Sequence, residues 1–191
     1  MSDNLKLWGA VEKTNPAYTK KANVKGNKIT SIAPQYQVKN ATEQFGAYGE
    51  KWGFKSIDLD YSMLSIGLVI FKGVFFFPGG EFPIINSIGA YKDNAKTKID
   101  DDFAKKVETD ALTKALSKLG FNADIFMGLF DDTRYVNDMM AEFAPTDSDI
   151  ERIKDAVKNG DSNWIQSNWS GVISEKWAQL GADLQNKLQG K

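Results

Sequence analysis

FAKKVETDALTKALSKLGFNADIFMGLFDD, residues 103–132, is the stretch that decides the fold. Phe103, Val107, Ala111, Leu112, Ala115, Leu116 and Leu119 recur at helical spacing. They predict one amphipathic helix over 101–119, with its apolar stripe turned to a core. Asp101 and Asp102 in the expected first turn, and Lys118 in the last, suit the helix dipole. Gly120 is placed to stop the helix, and an apolar segment then runs to Asp131-Asp132. The arc left outside the stripe holds Lys106, Asp110, Thr113, Lys114 and Ser117. Amines meet phosphates as point charges and hydroxyls add hydrogen bonds without base preference. The same composition also serves as an ordinary solvated helix face.

Working back toward the N-terminus, 52–59, 63–77 and 81–91 read as three strands rich in branched and aromatic residues. One slip in the alternation after Phe54 predicts a bulge. Pro78-Gly79-Gly80 signals a turn, and Pro83 assigns its strand to an edge or a bulge. Residues 92–100 read as a charged loop. Before the strands, Pro34 opens a helix over 34–45 that ends at Gly46. GAYGEKWGF, residues 46–54, is a tight helix-to-strand corner whose Tyr48 and Trp52 either pack or stack on bases. Residues 5–12 predict a short helix. Residues 13–33 read as a lysine-rich loop in which Tyr18 neighbours Lys20, Lys21, Lys25 and Lys28. That is the composition of an exposed linker or of a single-strand groove, where bases stack on aromatics and amines follow the backbone.

The fold expected is α+β. A β-β-β-α core, an antiparallel three-stranded meander packed on the long helix, carries an N-terminal helix and a C-terminal helical tail. Residues 1–143 form the main domain. Residues 144–191 form a small helical unit around Trp164, Trp169, Trp177 and Leu180, too small to be stable alone.

Across 191 residues the formal net charge is −1, but residues 1–55 hold nine lysines against four acids, a net of +5. Such asymmetry is compatible with a localised anion site. There is no cysteine and no histidine. Disulfides, zinc ribbons, thiol nucleophiles and imidazole bases are therefore excluded. The opening MSDNLKLWGAVEK is too polar to read as a signal peptide. The longest apolar run, Met63–Phe77, is broken by Ser65 and Lys72 and falls short of the ~20 residues a membrane helix needs. A cytoplasmic protein without a membrane segment is expected. Paired acids occur at Asp58 and Asp60, on one face of a strand, and at Asp131 and Asp132, while Asp100, Asp101 and Asp102 precede the long helix. Such pairs hold magnesium in two-metal nucleases, and they also simply decorate helix starts.

Three places in this order resemble the single-strand annealing proteins of the Rad-fifty-two superfamily, the eukaryotic recombination protein and its bacteriophage relatives. Glu43-Gln44-Phe45-Gly46, leading to Gly49 and Trp52, is similar to the family's helix end and glycine-tryptophan turn. The strand meander sits where the family has its sheet. Lys105 to Gly120 (KKVETDALTKALSKLG) is similar to the family's main helix, and LGFNADIFMGLFDD is closer still to phage-encoded members. The match covers about residues 15–140.

The resemblance implies subunits assembled side by side into a ring or filament, with a basic groove that holds single-stranded DNA for pairing with its complement in recombination and repair. It implies no ATP, no cofactor, no metal and no covalent step. Its groove positions on the main helix fall at Thr113, Lys114 and Ser117, where the family has basic residues. Here only Lys114 is basic, with Lys118 beside the third. A further groove position falls near Lys20 and Lys21. The DNA-binding set expected is thus Lys20, Lys21, Lys25, Lys28, Lys106, Thr113, Lys114, Ser117 and Lys118. The tail is expected to recruit a partner, such as a host single-strand binding protein or a phage exonuclease. The alternative function is a metal-dependent nuclease using Asp58 and Asp60 or Asp131 and Asp132.

Overall fold

The computed structural model describes residues 3–24 and 26–144, and beyond them Thr146, Ser148, Glu151, Arg152, Asp155 and Asn159. The expected helical tail of 144–191 falls almost wholly outside the described residues, as does Lys25. The architecture is mixed α+β, with two small antiparallel sheets and several helices. The chain divides into two compact units. One comprises Met1–Lys13 and Ala33–Phe126, the other Thr14–Ile32 and the chain from Met127 onward.

The first unit starts with α1 (Lys6–Val11) and continues with α2 (Pro34–Phe45). Pro34 sits at the first position of α2, where a missing amide hydrogen costs nothing. Gly46 ends the helix, its amide donating to the Thr42 carbonyl at 2.9 Å. Strands β3 (Gly53–Asp60), β4 (Leu68–Phe77) and β5 (Gly80–Gly89) form an antiparallel sheet in the order β3-β4-β5. The register shifts between Phe54 and Ser56, the bulge that the broken alternation predicts. Pro83 lies on β5, an edge strand, so its missing amide hydrogen breaks no ladder.

The strand expected over 63–77 is shorter than its composition suggests. Leu64–Ile66 form a 3-10 turn, and Gly67 adopts a left-handed conformation (φ 88°) before β4 begins. The turn is held at its start by Asp60, whose Oδ1 accepts from the Ser62 amide at 2.8 Å. It leaves Tyr61, Met63, Leu64 and Ile66 exposed.

Helix α3 (Phe103–Lys118) packs on β5 and β4. Val69, Phe71 and Phe75 of β4 alternate into the core, while Lys72 faces the other side. Ala111 and Ala115, both fully buried, let the helix backbone approach the sheet closely. Val107, Leu116, Ile84, Trp52, Ala41 and Phe121 complete the cluster. Trp52 settles the glycine-tryptophan corner as packing, since it is fully buried and its indole Nε1 donates to the Gly46 carbonyl at 3.0 Å. Its ring meets those of Phe45 and Tyr48 edge-on, at 6.3 and 4.9 Å. After α3, Gly120 turns the chain into the short α4 (Ala123–Phe126), and the Asn122 amide donates to the Val11 carbonyl at 2.9 Å.

In the second unit, residues 13–33 correct the expectation of a loop. Strands β1 (Thr19–Val24) and β2 (Asn27–Ile32) form a hairpin, with Val24 opposite Asn27. The turn is Lys25-Gly26, and the Gly26 amide donates to Asn23 Oδ1 at 3.0 Å. Two-residue connections of this kind are the tightest way to reverse a strand. A helix that the periodicity reading leaves out, α5 (Thr133–Glu142), follows a 3-10 turn at Leu129–Asp131. Asp132 caps it by accepting from the Arg134 amide at 2.8 Å. The aspartate pair that reads as the end of an apolar segment is thus partly a helix start.

Candidate nucleic-acid interface

The expected interface residues divide between the two units. On α3 the polar flank is built around charge pairs. Lys106 Nζ donates to Asp100 Oδ2 at 2.6 Å. Lys92 meets Asp101, and Lys105 lies 3.1 Å from Asp102. The three aspartates therefore lie outside the first turn of α3, which contains no acid. Asp102 occupies the cap position without a side-chain cap bond. Their carboxylates gather within 4.8 Å of one another, each matched by its own lysine. The amine of Lys106 holds the Asp100 carboxyl below its ordinary value, and that of Lys92 does the same for Asp101.

One turn and more along the helix, Lys114 Nζ lies 2.5 Å from Asn86 Oδ1 and 3.2 Å from Asp110 Oδ2. Asn86 Nδ2 donates to the same Asp110 oxygen at 2.6 Å. Asn86 comes from the inner face of β5 and is buried, so the triad ties the flank of α3 to the sheet. Thr113 is half-buried, and the Ser117 hydroxyl donates to the Lys114 carbonyl at 2.9 Å. Lys118 is exposed and has no ion pair among the described residues.

On the hairpin, pairing fixes which lysines share a face. Directly opposed residues point the same way, and chain neighbours point opposite ways. Lys21 pairs with Thr30, Asn23 with Lys28, and Lys20 with Ser31. Lys21 and Lys28 therefore share one face and Lys20 occupies the other. Lys21 Nζ donates to Thr30 Oγ1 at 2.7 Å and to the Phe130 carbonyl at 3.1 Å, with Asp131 at 4.0 Å. Lys20 and Lys28 are exposed, without an ion pair among the described residues.

The acids of the alternative site have local duties. Asp60 Oδ2 accepts from Lys72 Nζ at 2.6 Å, and this bond together with the Ser62 amide holds its carboxyl far below the usual range. Asp58 lies opposite Lys72 in the register. Asp132 caps α5, and Asp131 faces Lys21. Among the described residues no helix is long and apolar enough to cross a membrane. The chain matches no protein-family model and no curated protein.

These pairings set the response to acid. Asp60, Asp93, Asp100 and Asp101 all have folded values below the ordinary 3.8. A depressed carboxyl contributes stability that is complete above its unfolded value and lost as pH falls through its folded one. With no histidine in the chain, nothing of that type titrates near neutrality. The thermal midpoint should stay level from about pH 8 to 5 and fall below about pH 4, and Asp100→Asn should reduce that fall. Circular dichroism melts across this range check it. A midpoint unchanged down to about pH 3 would show that the pairs contribute nothing.

Proposed function

We propose that this chain is an ATP-independent single-strand annealing protein. In this reading β3, β4, β5 and α3 form a β-β-β-α core whose copies assemble side by side, and exposed amines hold single-stranded DNA while its bases pair with a complement. The observation that supports it best is the set of exposed cations left without counter-ions among the described residues. Lys28 and Lys20 occupy the two faces of the hairpin and Lys118 the C-terminal turn of α3. The order of motifs adds to it: the Trp52 corner, then the strands, then a helix closed by Gly120. Such a site requires no bond-breaking groups. Its work is to offset phosphate repulsion and keep the strand extended, so that annealing becomes a search for register.

Anisotropy of a labelled oligothymidylate across a salt series tests the proposal, together with an annealing assay lacking nucleotide and divalent ion. Binding should weaken steeply with salt, by about 0.7 in log-log slope per phosphate contacted. The triple variant Lys20→Glu, Lys28→Glu, Lys118→Glu should lower that slope by about 2 and remove annealing. Wild-type binding that ignores salt, or a triple variant that anneals normally, rules the proposal out.

A further inference from the structure

We propose that Asp110 is a built-in brake on the grip of α3, a counter-charge that an incoming phosphate must overcome at Lys114. The inference rests on the single-strand reading above and concerns the regulation of that same surface. Lys114 is the basic residue at the three groove positions on the helix, yet its amine is already engaged. Asn86 accepts from it at 2.5 Å while donating to Asp110 at 2.6 Å, and Asp110 lies 3.2 Å from the amine. Asn86 is 6% exposed, and both ends of its amide are used. Turning the amide over would set its NH2 against the ammonium and its oxygen against the carboxylate. The asparagine therefore holds cation and anion side by side.

Both charged side chains stay half exposed, at 51% and 56%, so the pair is open to a ligand from solvent. A phosphate reaching Lys114 enters the field of Asp110 and is partly repelled. Lys106 carries the same arrangement with Asp100, whereas Lys118 is unmatched among the described residues. Two of the three lysines on this flank are thus restrained by their own carboxylates. An annealing protein benefits from that restraint, because a strand held too tightly cannot slide to correct its register.

Asp110→Asn tests this. It keeps the shape and one acceptor oxygen for Asn86 and Lys114 while removing the charge. In the oligothymidylate titration it should tighten binding roughly threefold, the scale of one exposed charge pair, and steepen the salt slope by about 0.7. Asp110→Ser should shift both in the same direction. The gain should vanish in a Lys114→Met background, which separates an effect through Lys114 from a general change of charge or fold. Unchanged affinity and slope in both Asp110 variants, with wild-type binding normally salt-dependent, overturns the brake alone. A wild type that does not bind the oligothymidylate overturns both the brake and the reading beneath it.

Discussion

Gly120→Ala should cost the fold roughly 2–5 kcal/mol and lower its thermal midpoint by about 10 °C. Two terms add. Gly120 sits at φ +95°, a left-handed conformation that a side chain adopts only with strain. A Cβ built there would also lie 2.6 to 2.9 Å from Cδ2, Cε3 and Cγ of Trp8. Those atoms belong to the fused part of the indole, so no flexible end can swing aside. The ring has to move bodily, and α1 moves with it. Because the Asn122 amide bonds the Val11 carbonyl two residues beyond the glycine, that displacement also strains the junction between α1 and the chain leaving α3. Scanning calorimetry or circular dichroism measures the loss. Trp8→Ala combined with Gly120→Ala should return part of it, since the clash disappears and only the backbone strain persists. A single alanine variant melting within about 2 °C of wild type would mean that Trp8 does not pack there.

Trp52→Ala should be the more damaging change, at about 3–5 kcal/mol in chemical denaturation. The side chain is fully buried and touches the rings of Phe45, Tyr48 and Phe75. It also supplies the one indole proton that the Gly46 carbonyl accepts at 3.0 Å. Alanine removes both the packing and the bond. Trp52→Phe separates them: it keeps most of the ring volume and leaves the carbonyl without its donor, a loss of about 1–3 kcal/mol. Phe losing as much as Ala would assign the whole effect to the hydrogen bond. Neither losing anything would contradict the corner as a packing anchor.

Features with purely local causes were legible in the sequence. Pro34 and Gly46 bound α2 because each acts on its own backbone. The run of β4 alternates because one face meets α3 and the other meets solvent. The hairpin was hidden for the opposite reason. A two-stranded ribbon with lysine on both faces has little period-two apolar signal, and its alternation only becomes visible once Lys25-Gly26 is read as the turn. Composition alone also lengthened β4, since Met63, Leu64 and Ile66 are apolar yet lie exposed in a turn. The four-residue spacing of Asp110 and Lys114 could be seen in the chain. Asn86 could not, because it joins them across 24 residues, and Lys21 finds the Phe130 carbonyl across 109. Contacts of that length exist only once the fold does. They decide which lysines are free, so the residue types of the interface were readable and their charge state was not.

The hairpin register carries a geometric consequence. Lys20 and Lys21 are consecutive, yet a polyanion lying flat along the ribbon touches only one of them. On the Lys21 side it also meets Lys28, cross-strand and diagonal, with Asn23 and Thr30 between. On the Lys20 side the neighbours are Ser31, Ala22 and Ile29, a lone charge at the margin of an apolar patch. The ribbon is two-sided, with one surface suited to a run of phosphates and the other to a single anionic group beside something greasy.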